Sequence, residues 1–154
     1  MKALVLYDSA FGNTGQIARA VAKGLETAAV VAVVPVGEAC LDIFSGVDVL
    51  VVGSPTQKWS STPAIQAFLE TSPGTLLDGL ATAVFDTRFH QSGWITGSAA
   101  KSLSKVLGKF GVSLILPPES FFVTASQGPL EAGELDRAEA WGHTILAALP
   151  INVN

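Results

Sequence analysis

The sequence predicts a parallel α/β sandwich, a β-sheet with helices on both faces. Three observations carry this. Short apolar, β-branched runs alternate five times with segments in which apolar residues recur at helical intervals. The clearest run, Asp48-Val49-Leu50-Val51-Val52-Gly53, is apolar almost throughout instead of alternating, as a parallel strand covered on both sides must be. The connections are short and unrepeated, and 154 residues suit one domain, 1–154, with a substantial core.

Taken in order, Ala3-Leu4-Val5-Leu6-Tyr7 is the first strand and ends in Asp8. Ile17, Val21, Leu25 and Ala28 mark one face of the helix that follows, with Asn13 or Thr14 as its expected N-cap. Val30 to Val36 is the second strand, and Pro35 inside it suits a sheet edge, where a missing N–H costs no ladder bond. Cys40 to Phe44 reads as a short helical turn. The third strand, Asp48 to Gly53, leads into the loop Ser54 to Ser61. Thr62-Pro63 starts a helix, with Pro63 at its first position, where no N–H is needed, and Ile65, Phe68 and Leu69 as its buried stripe.

Ala81 to Asp86 is the fourth strand, followed by a polar and aromatic loop from Thr87 through Thr96. The next helix begins near Gly97-Ser98, buries Ala99, Leu103, Val106, Leu107 and Phe110, and stops at Gly111. Val112 to Leu116 and Phe121 to Thr124 are β-like pieces around Pro117-Pro118, read as one interrupted strand region. Pro129 opens a last segment in which Leu135, Ala138, Trp141, Ile145 and Leu149 share a helical face. Glu131 and Glu134 come early in it, where the helix dipole favours acids.

The formal net charge of −4 argues against a nucleic-acid binder, which needs a basic face. Lys101, Lys105 and Lys109 are spaced as the wet side of an amphipathic helix. Cys40 stands alone, which excludes an intramolecular disulfide and a cysteine-based metal site and suits a reducing compartment. With no signal-peptide pattern and no membrane-length apolar run, the expectation is a soluble cytoplasmic protein without membrane or nucleic-acid partners.

The stretch Ser9-Ala10-Phe11-Gly12-Asn13-Thr14-Gly15 joins the first strand to the first helix. Such a turn gathers unpaired backbone N–H groups and the positive end of a helix dipole at one point. A phosphate fits there, with hydroxyls from Ser9 and Thr14; the same residues also suit an ordinary helix-capping loop. Ligands of parallel sheets sit outside the carboxyl ends of the strands. The loops after strands one, three and four lie at that end and are the richest in Ser, Thr, Gly, Asn and aromatics. Trp59 in the second loop, with Phe89 and Trp94 in the third, suits a flat ring system of mononucleotide type. The fingerprints of nucleoside-triphosphate and dinucleotide loops are absent. No nucleophile–base arrangement presents itself, His90 being the only loop histidine, so no catalytic residue is assigned. Asp8 and Asp86 are expected to organise loops and not to act as an acid–base pair.

Ser9-Ala10-Phe11-Gly12-Asn13-Thr14 resembles the phosphate loop of the flavodoxins, Ser/Thr-x-Thr-Gly-Asn-Thr at the end of strand one. Ser54-Pro55-Thr56 with Trp59 is similar to the loop that carries a ring-stacking tryptophan in that family. Asp86-Thr87-Arg88-Phe89 through Gly97 takes the place of its isoalloxazine loop. The resemblance spans essentially the whole chain. It implies a five-stranded parallel sheet of order 2-1-3-4-5, FMN as cofactor, and electron shuttling between a reductase and an acceptor. It assigns the cofactor to Ser9, Ala10, Phe11, Gly12, Asn13 and Thr14, to Pro55, Thr56, Gln57 and Trp59, and to Asp86, Thr87, Arg88, Phe89 and Trp94. Phe11 replaces a hydroxyl residue, and Ser60-Ser61 replaces the Gly-Asp pair whose glycine peptide flips toward flavin N5 on one-electron reduction. Lys58 and Arg88 stand where carboxylates are usual and would favour the reduced, anionic flavin. The alternatives are an FMN-dependent quinone or protoporphyrinogen-type oxidoreductase, and an interaction module that has lost the flavin.

Overall fold

The computed structural model describes residues 1–90 and 97–151. Five parallel strands form one sheet in the order β2-β1-β3-β4-β5. They are β1 (Lys2–Tyr7), β2 (Val30–Pro35), β3 (Val49–Pro55), β4 (Ala81–Phe89) and β5 (Glu119–Val123). The longer helices are α1 (Asn13–Leu25), α2 (Pro63–Thr71), α3 (Ala99–Gly108) and α4 (Glu134–Ala147). Single turns at Val36–Glu38, Leu41–Phe44 and Gly74–Leu77 fill the connections.

Alternation along each strand divides the core. Ala3 and Val5 of β1, Val49 and Val51 of β3, and Ala83 and Phe85 of β4 pack under α1 and α4 with Ile17, Val21, Trp141 and Ile145. Leu4 and Leu6, Leu50 and Val52, and Val84 face the other way, under α2 and α3 with Ile65, Leu69, Leu103 and Leu107. Both faces of the central strands are buried, hence their unbroken apolar runs. β2 pairs only with β1, and Pro35 lies at its last paired position, so the missing N–H falls on an edge.

Several boundaries differ from the sequence expectation. β4 continues through Thr87, Arg88 and Phe89 because these pair with Phe121, Phe122 and Val123 of β5. Of the two pieces around Pro117-Pro118, Glu119–Val123 forms the strand, and the first contributes only a bridge between Leu114 and Thr82. The N-cap of α1 is Gly12, at φ +89°, and neither Asn13 nor Thr14; both lie inside the helix. Ala28 lies beyond the end of α1 and is exposed. Leu135 is 44% exposed, whereas Glu134, next to it, is buried. Glu134 accepts from Phe122 N–H (2.8 Å) and pairs with Arg137 (2.7 Å), which turns its position inward; Glu131 precedes the helix. Among the described residues no helix is long and apolar enough to cross a membrane.

Candidate functional site

The carboxyl ends of the parallel strands share one edge, and the chain reverses its direction across the sheet between β1 and β3. Asp8 N–H donates to the Gly53 carbonyl (3.1 Å) at that point and closes the gap between the two strand ends. A cleft of about 480 Å³ opens above it, within the usual range of a small-ligand pocket.

The first loop forms one wall. Ser9 Oγ, folded under the loop, accepts from Gly12 N–H (3.1 Å). Asp8 takes the Ser9 N–H on one oxygen (2.9 Å) and the Thr62 hydroxyl on the other (2.5 Å), so it organises the loop from below. Within the described residues the N–H groups of Ala10, Phe11, Asn13 and Thr14 have no acceptor. Four unpaired donors at the positive end of α1 make an anion nest. The Thr14 and Thr87 hydroxyls are 2.8 Å apart; one donates to the other and the second proton remains for a ligand.

The loop after β3 is a tight hairpin. Gln57 and Ser60 exchange both backbone hydrogen bonds (2.8 and 2.9 Å), leaving Lys58 and Trp59 as a two-residue turn. Both have positive φ, +46° and +66°, as such a primed turn requires, and an L-residue resists this by about 1–2 kcal/mol. Ser60 itself is not at the strained position. The strain is held in place from outside. Ser60 and Ser61 hydroxyls each lie 2.9 Å from Ser102 Oγ on α3, Gln66 Nε2 reaches both, and Trp59 bridges to Gly97. Trp59 is left 66% exposed at the cleft.

Beneath the cleft Asp86 is fully buried. One carboxylate oxygen accepts from Ser98 Oγ (2.7 Å), Ala100 N–H (3.1 Å) and Thr56 Oγ1 (3.4 Å), tying β4 to the start of α3 and to the tryptophan hairpin. Its other oxygen has no hydrogen-bond partner among the described residues and lies 3.9 Å from Arg88 Nε, whose charge offsets the burial. Arg88 is half-buried, donates to Ser120 Oγ (3.0 Å) and stacks over Phe122, so it stays at the cleft wall instead of entering solvent.

Of the residues expected at the site, Ala10, Phe11, Asn13, Thr14, Pro55, Thr56, Gln57, Trp59, Thr87, Arg88 and Phe89 line this one cleft. Ser9, Gly12 and Asp86 support it without lining it. Trp94 lies outside the described residues. Lys58, expected near the ring but not assigned as a cofactor contact, also lines the cleft, as do Val123 and Ser126, which were not expected there. Val123 ends β5, and Ser126 belongs to a fourth loop, after β5, which Asn13 Nδ2 holds by donating to the Gln127 carbonyl (3.2 Å). Applying the strand-end rule to the fifth strand as well as to the first, third and fourth finds it.

Fold and cleft define a doubly wound α/β protein with a strand-end cleft lined by unpaired backbone N–H groups and aromatic side chains. The sequence profile of the family described as Flavodoxin matches residues 5–144, and the chain belongs to the flavodoxin family. Members of the family bind FMN and transfer electrons to partner proteins. Solved structures agree in fold. A flavodoxin from the domain Archaea superposes with a TM-score of 0.76 at 21% identity, covering 96% of this chain and 97% of its own. Oxidised Flavodoxin 1 from Bacillus cereus gives 0.76 at 18%, covering 97% and 100%. Rubredoxin oxygen:oxidoreductase from Desulfovibrio gigas gives 0.75 at 17%, covering 97% of this chain but 37% of the larger protein. No curated protein sequence matches the chain.

Proposed function

We propose that the cleft binds FMN and that the protein carries electrons between redox partner proteins. The observation that supports this most is the nest of unpaired N–H groups in a cleft walled by aromatic side chains: Ala10, Phe11, Asn13 and Thr14 offer donors, and Phe11, Trp59 and Phe89 offer ring faces. When bound, FMN supplies the reversible one- and two-electron chemistry. The first loop, with Gly12 giving the turn and Thr14 a hydroxyl, holds the phosphate. Trp59 and Phe89 orient the ring and exclude water, while Pro55, Thr56, Gln57 and Thr87 present backbone and polar groups to its edge. Lys58 and Arg88 place positive charge beside it, which favours the reduced anion.

Titrating FMN into the apoprotein is expected to quench flavin fluorescence and saturate near one flavin per chain. Trp59→Ala should weaken binding about tenfold, within the range of a lost aromatic contact. Absence of binding to FMN and riboflavin would overturn the reading and leave a binding module of another kind. Rapid steady-state quinone reduction by the loaded protein would make it an enzyme instead of a carrier.

A further inference from the structure

A groove of about 520 Å³ between α2 and α3 adjoins the cleft, and Trp59 lines both. Its floor carries the Ser60, Gln66 and Ser102 network; its rim carries Lys101, Lys105 and Lys109, with Lys58 on the neighbouring hairpin. The chain has six lysines and a net charge of −4, yet four of those lysines are gathered here. All four are exposed, and none pairs with a carboxylate among the described residues. Among the described residues Glu70 is the only acid lining the groove. Across the sheet the acids of α4 (Glu134, Asp136 and Glu139) are interspersed with cations, Glu134 pairing with Arg137 and Glu139 with Lys23, so no comparable one-sign row forms there.

Helix electrostatics account for only part of this row. Lys105 stands in the last turn of α3, where the dipole favours a cation. Lys101 stands in the first turn, where the dipole opposes one, and no acid accompanies it. At 1.5 Å per residue the row from Lys101 to Lys109 is about 12 Å long and begins beside the Trp59 wall. Basic charge flanking an exposed aromatic wall suits a transient interface that steers a partner of opposite sign.

We propose that Lys58 and the Lys101–Lys105–Lys109 row form a docking surface for an acidic redox protein, seated against the Trp59 wall of the cleft. The redox half of this statement rests on the FMN reading; the surface itself does not.

Two measurements on the full chain separate them. The first needs no flavin: amide NMR shifts during titration with a deca-glutamate peptide at low salt. Perturbations should centre on Lys58, Lys101, Lys105 and Lys109 and vanish by about 0.3 M salt, as the screening length shortens. Shifts centred on Lys2 or Lys23, no shifts, or tighter binding of duplex DNA than of the peptide to the same residues would overturn the proposal. The second uses photoreduced, FMN-loaded protein and ferricyanide, an anion that takes one electron, so two ions are consumed per fully reduced flavin. Its rate should fall as salt rises, against the sign of the net charge. The Lys101→Glu/Lys105→Glu variant should react about tenfold more slowly at low salt and reverse that dependence. A wild-type rate that rises with salt, or a variant indistinguishable from it, would overturn the docking surface. A protein that fails to load FMN defeats the functional reading alone, since the peptide titration still decides the surface.

Discussion

The two helical layers treat the sheet differently. Under α1 and α4 the contact is apolar and close: a Cβ on Gly142 would strike the Val21 carbonyl, and one on Gly24 the Glu139 carbonyl. Under α2 and α3 the inner face is equally apolar, but the outer end of the layer is built from hydroxyls, Gln66, the buried Asp86 and a lysine row. Both layers stabilise the fold. They shape the cleft differently: the start of α1 gives it the anion nest and Thr14, whereas Ser98, Ala100 and Ser102 of the α3 segment hold the strained hairpin and the end of β4. The close α1–α4 crossing lies away from the cleft while the polar end of the second layer braces it, and substitutions at those two places should sort accordingly.

The largest effect is expected at the close crossing. Gly142→Val puts side-chain atoms where backbone of α1 already stands, beyond what rotamer adjustment can relieve. It should lower stability by about 3 kcal/mol or more, at the upper end of overpacking costs, read as a lower urea midpoint. Gly108→Ala on α3 is the control, since nothing lies within 4 Å of its Cβ. There the gain in helix propensity should raise stability by about 0.5–1 kcal/mol. Equal losses at both sites would mean that the layers are packed alike.

Asp86→Ala comes next. It removes the acceptor of Ser98, Ala100 and Thr56 and leaves Arg88 without its neighbour. A cost of about 2–3 kcal/mol is expected from the orphaned donors. Unlike Gly142→Val, it should also weaken FMN binding in protein that is still folded. Loss of stability with unchanged affinity would show that the α3 segment does not shape the cleft.

On the α4 side, Glu134 tests whether that layer is purely apolar in its energetics. Burial alone would raise its carboxyl pKa; Arg137, the Phe122 N–H and the nearby charges outweigh burial and hold it below the ordinary glutamate value. A lowered folded-state value stabilises the protein above the ordinary range near pH 4.3, and that contribution disappears as pH falls through the folded value. Glu134→Gln should therefore be less stable than wild type at pH 7, with the gap closing in acid. A gap independent of pH would show that the ionised carboxylate contributes nothing.

The layers were legible in the sequence to different degrees. Strands buried on both faces announce themselves by unbroken apolar runs, so β1 and β3 needed no tertiary knowledge. The polar end of β4, Thr87 to Phe89, reads as loop until β5 supplies its hydrogen bonds. Spacing alone makes Leu135 a core position, whereas the inward turn of Glu134 depends on Phe122 and Arg137, brought there only by folding. The phosphate-type loop and the tryptophan were visible because they follow strands in sequence. The contribution of Ser126 was not, since Asn13 and Gln127 meet across more than a hundred positions.

The smallest expected effect bears most directly on why the second layer carries its charge. Lys101 and Lys105 lie one turn apart on the same exposed row, but at opposite ends of the α3 dipole. Glutamine matches lysine in helix propensity, so substitution isolates the charge. Lys101→Gln should raise stability by about 0.3–1 kcal/mol at low salt, and Lys105→Gln should lower it by a similar amount, both differences shrinking as salt screens them. Paired thermal midpoints at two salt concentrations read this directly. Opposite signs would show that Lys101 is kept against the preference of its own helix, as a charge needed by something outside the molecule would be. Matching signs would mean that the lysine row of α3 is only a solvated face, with nothing outside the molecule requiring its charge.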